Sequence, residues 1–190
     1  IVAGQTGMFL IFTVSFGVIG LITEREEGTM TRLRSMPMPA GLIVAAKAGG
    51  GFILGLIATT VLLTIGTLLF DVSFGSVPLV ALVVVAGVLA ATSLVFLIAR
   101  VARTAEQAGV AQAITAIVLG IAGGAFFPLA ASGWVATVLD LNPIAAFIRG
   151  LGITAGGGGL GQLGTPLATM LIFAIVMIVL SRLVPDREEA

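Results

Sequence analysis

The largest group of charged side chains in this sequence lies in residues 23–37, TEREEGTMTRLRSMP, within a chain that otherwise carries little charge. The charged residues of this stretch are Glu24, Arg25, Glu26, Glu27, Arg32 and Arg34. Carboxylates and guanidinium groups at this spacing favour docking on a polar protein surface, where charge pairs set register and specificity. The alternative is a solvated loop between two membrane spans, although acidic residues contribute little to the orientation of such loops.

This chain lacks several of the residue types on which catalytic sites most often depend. Histidine and cysteine are both absent, which excludes Ser-His nucleophile pairs, His ligands, thiolate metal sites and disulfides. Residues 159–164, GLGQLG, match a dinucleotide-binding spacing but lack the preceding strand that this motif requires, and no P-loop motif is present. We therefore expect no enzyme activity and no cofactor in this chain.

The composition is that of a membrane protein. The chain has 190 residues, of which 58% are hydrophobic and 9% charged, and its mean hydropathy is +1.22. Crossing the hydrocarbon core of a bilayer takes about 20 apolar residues per helix. The apolar runs here are long and continuous, without the alternating pattern of a membrane barrel, so they predict an all-α integral membrane protein.

Five spans are predicted, and residues 1–190 are expected to form a single transmembrane domain. Their approximate ranges are 4–22, 42–69, 77–99, 107–125 and 165–183. Basic residues are retained on the cytoplasmic side of a membrane. Under a five-span topology that side holds Arg25, Arg32, Arg34, Lys47, Arg100, Arg103, Arg182 and Arg187. This distribution predicts a multi-pass protein of the cytoplasmic membrane with a cytoplasmic C-terminus, and at least one further span before residue 1.

The segment between the fourth and fifth spans, about residues 126–150, is apolar but interrupted. Pro128 and the Asn142-Pro143 pair remove helix hydrogen bonds. A straight span is therefore not expected, and two short helices dipping into the outer leaflet fit better. The following residues, 154–166, are rich in glycine and predict a flexible exterior linker.

The charged stretch itself is predicted to form a separate short helix, at about residues 24–36. Thr23 and Glu26 have the spacing of a capping box, which satisfies backbone N–H groups at a helix start. Acidic residues follow at the N-terminal end and arginines near the C-terminal end, in agreement with the helix dipole. Pro37 and Pro39 then end the helix.

The segment from Glu24 to Met38, EREEGTMTRLRSMPM, resembles the E-R-E-x-G-T-x-x-R-L segment of ATP-binding cassette (ABC) type-2 exporter permeases. Residues 126–151 are similar to the broken exterior segment of that family. The resemblance covers essentially the whole chain, with the first span of the family missing. It implies a coupling helix that contacts an ATPase subunit, formed by Glu24, Arg25, Glu26, Gly28, Thr29, Arg32 and Leu33.

The same resemblance implies the partners of the chain. A separate or fused nucleotide-binding ATPase subunit would hold ATP and Mg, and a second permease copy would complete a homodimer or a similar heterodimer. No nucleic acid is expected as a partner, because the chain has no basic tract.

A set of polar and interrupting residues is a candidate translocation path or gate. Its members are Thr60, Thr64, Thr67, Phe126, Phe127, Pro128 and Asn142. The three threonines share one face of the second predicted span, where they either line a polar path or bond to their own backbone. Two small-x-x-x-small pairs, at 51–55 and 120–124, predict close helix packing, either within the chain or at a dimer seam.

The spans carry no ionisable residue near their middle, where an ion-driven transporter usually needs one. The energy must then come from a partner. We expect the permease subunit of an ATP-driven exporter that moves a lipophilic or amphipathic substrate, such as a drug, lipid or glycolipid. The alternative function is a non-transporting membrane scaffold that anchors a cytoplasmic partner.

Overall fold

A computed structural model of the chain describes residues 2–26, 40–126 and 139–184, together with residues 133 and 137. These residues form six α-helices and no strand. The helices are α1 (Val2–Glu26), α2 (Ala40–Phe70), α3 (Val77–Val101), α4 (Ala105–Ala122), α5 (Pro143–Ala155) and α6 (Leu160–Leu183). The all-helical class predicted from the sequence is confirmed.

Four of these helices are long and apolar enough to cross a membrane. They are α3, α4, α6 and the Ala48–Phe70 part of α2. In α1, the apolar stretch found among the described residues is Ala3–Phe16, so the predicted span at 4–22 stays a prediction. The valine-rich α3 is helical although β-branched residues favour strands, because lipid offers no partner to backbone polar groups and a helix satisfies them internally.

Helix α3 occupies the centre of the bundle. Inside its most apolar stretch 61% of the residues are buried, against 22% in each of the other three long apolar helices. Helices α1, α2, α5 and α6 all pack against it. The outward faces of α2, α4 and α6 instead expose many large aliphatic side chains, as expected of surfaces in contact with lipid or with another membrane subunit.

One glycine of each of the two predicted pairs packs against another helix of the chain. A Cβ on Gly55 of α2 would lie 2.6 Å from Cγ2 of Val14 in α1 and 2.9 Å from Cγ1 of Val88 in α3. A Cβ on Gly120 of α4 would lie 3.3 Å from Cγ of Met8 in α1. Both glycines therefore allow a neighbouring helix to approach closely, which supports the intramolecular interpretation for these two positions.

The two ends of the bundle differ in character. The connections at residues 71–76 and 156–159 meet where Gly75 lies against the carbonyl of Thr154, with φ +82° and no room for a Cβ. We call this the glycine-rich end. At the opposite end, α3 turns into α4 and α6 finishes, and Arg100, Arg103 and Arg182 lie there. We call this the arginine-rich end.

The predicted flexible linker at 154–166 is wrong. Helix α5 continues to Ala155, α6 begins at Leu160, and Pro166 lies inside α6. The four residues between the helices form an ordered cap: Gly157 has φ +75°, its N–H donates to the Thr154 carbonyl at 3.1 Å, and the Gly158 N–H donates to the Ile153 carbonyl at 2.8 Å. This is a Schellman motif, in which glycine supplies the left-handed residue that ends a helix.

Helix α4 ends in the same way. Gly124 has φ +78°, its N–H donates to the Ile121 carbonyl at 3.1 Å, and the Ala125 N–H donates to the Gly120 carbonyl at 2.9 Å. The fourth predicted span, 107–125, therefore ends three residues early, at Ala122. The backbone of Gly4 in α1 packs directly on Ala125, so this cap also fixes the first helix against the fourth.

Candidate functional site

The predicted coupling segment falls only partly within the described residues. Residues 23–26 are helical and form the last turn of α1. Thr23 is therefore not the N-cap of a separate helix, because an N-cap has non-helical backbone angles; the capping box spacing instead lies at the end of a helix that continues from the preceding apolar run. Gly28, Thr29, Arg32 and Leu33 lie outside the described residues.

The threonine stripe predicted on the second span lines a cleft between α2 and α3. Its volume is about 450 Å³, within the range typical of small-molecule sites. The lining residues are Leu56, Thr60, Leu63, Thr64 and Thr67 from α2, Ser73, Phe74 and Gly75 from the connection, and Val77, Val80, Ala81, Val84 and Val85 from α3. The cleft lies towards the glycine-rich end of the bundle.

Two of the three threonine hydroxyls are already bonded within α2. Thr64 Oγ1 donates to the Thr60 carbonyl at 2.8 Å, and Thr67 Oγ1 donates to the Leu63 carbonyl at 3.0 Å. Both alternatives predicted for these threonines therefore hold in part. The side chains bond to the backbone four residues earlier, and they also line the cleft. Each of these two hydroxyls has used its donor, so it can only accept a hydrogen bond from a ligand, and most of the remaining wall is apolar.

Asn142 connects α5 to α4. Its Oδ1 accepts a hydrogen bond from the Ile144 N–H at 2.9 Å, which caps α5, and its Nδ2 donates to the Leu119 carbonyl at 2.8 Å. The residue is buried, with 6% of its surface exposed. Pro143 follows at the first helical position, where a missing N–H carries no penalty. The break that the sequence predicted is therefore an ordered helix start inside the bundle.

An ion pair fixes the chain just before that start. One terminal nitrogen of Arg149 donates to Oδ1 of Asp140, and the other donates to the Asp140 backbone carbonyl at 3.0 Å. Arg149 lies on α5 and Asp140 lies two residues before Asn142. The pair therefore ties α5 to the residues that lead into it.

The candidate path and gate residues do not form one site. Thr60, Thr64 and Thr67 line the α2–α3 cleft, whereas Asn142 is buried where α5 meets α4. Phe126, just beyond the α4 cap, is exposed and is not among the cleft residues. Phe127 and Pro128 lie outside the described residues.

Gln107 forms hydrogen bonds at the start of α4. The backbone N–H of Gln107 donates to Thr104 Oγ1 at 3.1 Å, and its side-chain Oε1 accepts from the backbone N–H of Arg103 at 3.1 Å. These bonds cap the N-terminus of α4 in the manner of a capping box. Thr104 and Gln107 have the T-x-x-Q spacing from which this cap could have been predicted.

The α3 wall of the cleft was not predicted from the sequence, in which the threonines of α2 were the visible signal. Val77, Val80, Ala81, Val84 and Val85 recur at the three-to-four-residue spacing of one helix face. That spacing was visible, but in a helix composed largely of valine, leucine and alanine it does not distinguish a cleft wall from a core face. The contribution of Ser73 and Phe74 depends on the path of the connection, which no spacing rule supplies.

Comparison with known proteins gives one family. No curated protein and no solved structure matches the chain. A family model described as "ABC-2 family transporter protein" matches residues 2–183, a range that includes all six helices. Together with the apolar helical bundle, this match identifies a multi-pass membrane protein of the transporter class. The chain belongs to the ABC-2 family of transporter proteins.

Proposed function

We propose that the chain is the membrane-spanning permease subunit of an ATP-driven exporter and that it moves a lipophilic or amphipathic substrate across the cytoplasmic membrane. The family match over residues 2–183 is the observation that carries this proposal. Membrane proteins of this family generally work with ATP-binding subunits. The chain contains no P-loop motif of its own, so ATP and Mg would be bound by the partner.

The distribution of charge supports an external energy source. In α3, α4, α6 and the Ala48–Phe70 part of α2, the charged residues are Arg100, Glu106 and Arg182, and each lies in the first or last turn of its helix. Ion-driven transporters generally use ionisable groups near the middle of the membrane. This distribution also favours a cargo with an apolar body, because no ionisable side chain lines the described cleft.

The charged segment after α1 is our candidate for the contact with the ATPase. It joins α1 to α2, and these two helices pack extensively against each other. Force applied to the segment would therefore move both helices together. The C-terminal end of α1, where the segment begins, points towards the arginine-rich end, because α1 runs antiparallel to α4: Gly4 packs near the C-terminus of α4, and Met8 near Gly120.

Transport coupled to ATP hydrolysis is the decisive test. The full-length protein and its partner ATPase, sought first in the neighbouring reading frame, would be reconstituted in liposomes with a fluorescent lipophilic probe. We expect probe movement that requires hydrolysable ATP, and ATPase activity that rises when the probe is added. ATPase binding without probe movement would favour the scaffold alternative, and probe flux without ATP would indicate a passive pore.

A charge reversal tests the coupling segment separately. We expect Glu26→Arg to reduce ATP-dependent transport and assembly with the ATPase, because complementary charges set the register of such an interface. The matched control is Glu106→Arg, which reverses an exposed acid at the same end of the bundle but outside the segment. If both variants assemble and transport like the unaltered protein, the coupling assignment is wrong.

A further inference from the structure

We propose that the α2–α3 cleft binds a lipophilic cation, with its hydrocarbon body between the two helices and its charged head beside Asp71. Binding at this site does not depend on the proposed export function, because it is measured without ATP and without a partner subunit.

The size of the cleft fits an occupant that enters from one half of the bilayer. Its wall on α2 runs from Leu56 to Thr67, about 16 Å of helix at 1.5 Å per residue. The hydrocarbon core of a membrane is about 30 Å thick. The cleft is thus open over about half of the membrane, on the side of the glycine-rich end, where a molecule dissolved in that leaflet can enter it.

The walls favour hydrocarbon in the interior of the cleft. Most of the lining side chains are aliphatic, and none is ionisable. The Thr64 and Thr67 hydroxyls are occupied by α2 carbonyls, so these side chains present methyl groups without leaving a buried donor unpaired. A ligand with polar groups along its whole length would have to give up water without gaining hydrogen bonds.

An acidic residue lies on the connection that forms one end of the cleft. Asp71 follows directly after α2 and lies two residues before Ser73, which lines the cleft. Asp71 is exposed, and among the residues that the structure describes it has no hydrogen bond or ion pair. The other described acid towards this side of the bundle, Asp140, is paired with Arg149. Asp71 therefore places a carboxylate without a described partner two residues from the cleft wall.

Charge complementarity selects the occupant. A carboxylate at the edge of an apolar region attracts a cation more strongly than it would in bulk water, because the local dielectric constant is lower. An anionic amphiphile would be repelled by Asp71, and a neutral one would gain nothing from it. An ammonium group joined to a hydrocarbon chain satisfies both parts of the site.

Photo-crosslinking tests the location. The full-length protein in nanodiscs would be irradiated with a long-chain quaternary ammonium probe that carries a diazirine on its hydrocarbon chain, with an alcohol of equal length as the neutral comparison. We expect crosslinks from the cation to concentrate in residues 56–67 and 73–85 and to be competed by unlabelled dodecyltrimethylammonium. Crosslinks spread evenly over the exposed faces of α2, α4 and α6 would overturn the proposal.

Substitutions test the chemistry. We expect Asp71→Asn to weaken competition by the cation about 5-fold, the upper end for a solvent-exposed ion pair, and to leave the neutral probe unchanged. The matched control Glu106→Gln removes an exposed acid at the opposite end of α3 and should change neither probe. Equal binding of the cation to the unaltered protein and to Asp71→Asn would contradict the role of Asp71.

A second variant tests the cleft without using charge. Ala81 is exposed in the α3 wall, so Ala81→Phe fills space without disturbing the core. We expect it to reduce crosslinking by both probes. Full crosslinking of Ala81→Phe, or native mass spectrometry that shows a retained phospholipid which the cation does not displace, would show that the cleft is not a site for this ligand.

Discussion

The side-chain amide of Asn142 donates a hydrogen bond of 2.8 Å to the carbonyl of Leu119, which also accepts the Gly123 N–H at 2.7 Å. One carbonyl in the last turn of α4 thus accepts two hydrogen bonds, one from the cap of its own helix and one from the residue that precedes α5. Because the Oδ1 atom of the same amide caps α5, this buried residue links the end of α4 to the start of α5.

Replacing Asn142 should therefore destabilise the protein through two contributions that can be measured separately. We expect Asn142→Ala to lower the free energy of unfolding by about 2 kcal/mol, through loss of a helix cap and of one interhelical hydrogen bond, each worth about 1 kcal/mol. Asn142→Ser keeps an oxygen that can cap α5 but cannot reach Leu119, so it should lose about half as much. Denaturant unfolding in micelles measures both, and equal losses for the two variants would show that the cap contributes nothing.

Gly87 makes room for a large buried ring. A Cβ at this position would lie 2.5 Å from Cδ2 of Phe147, whose side chain is 1% exposed. We expect Gly87→Ala to destabilise the bundle by about 1–3 kcal/mol, the usual penalty of overpacking a core. The matched control Gly109→Ala, where a Cβ meets no atom within 4 Å, should be neutral or slightly stabilising because alanine favours a helix.

A double-mutant cycle identifies the cause of the Gly87 effect. If the loss comes from the clash with the ring, the double variant Gly87→Ala/Phe147→Leu should lose less unfolding free energy than the sum of the losses in the two single variants. Strict additivity of the unfolding free energies would mean that the loss arises elsewhere in α3.

The left-handed backbone at Gly157 gives a prediction that involves no clash. A Cβ there would meet no atom within 4 Å, but the residue has φ +75°. We expect Gly157→Ala to lower stability by about 1 kcal/mol through backbone strain alone, and Gly157→Asn to lower it less. Gly152→Ala, in open space one turn earlier in α5, should not be destabilising. Hydrogen exchange at the Gly157 and Gly158 amides reports the cap directly, and unchanged protection in Gly157→Ala would refute its dependence on glycine.

The sequence predicted the long helices well because lipid leaves a continuous apolar chain few alternatives to a helix. It also placed Thr60, Thr64 and Thr67 on one helix face, since that face follows from the helical repeat. The structure adds the opposing wall on α3, which depends on how two helices pack and on the path of residues 71–76 between them.

Features made by glycine and by long-range contacts were harder to predict. The glycine run at 156–159 indicated flexibility by composition, whereas two backbone hydrogen bonds turn it into an ordered cap; the same composition is compatible with both. Asn142 was correctly placed at a break, but its partner Leu119 lies 23 positions earlier, and no local pattern links them. The Thr23 capping box spacing failed because the preceding apolar helix continues through it.

The orientation of the bundle is the last prediction, and the chain is well suited to testing it because it contains no cysteine. Ser73 at the glycine-rich end and Glu106 at the arginine-rich end are both exposed, and the 25 residues of α3 span about 37 Å between these ends. We expect Ser73→Cys to react with a membrane-impermeant maleimide on intact cells and Glu106→Cys to react only after permeabilisation, because the arginine-rich end should be retained in the cytoplasm. The cysteine-free protein gives the background. The reverse labelling pattern would place the charged segment after α1 on the outside, where no ATPase could contact it, and would remove the basis of the proposed coupling.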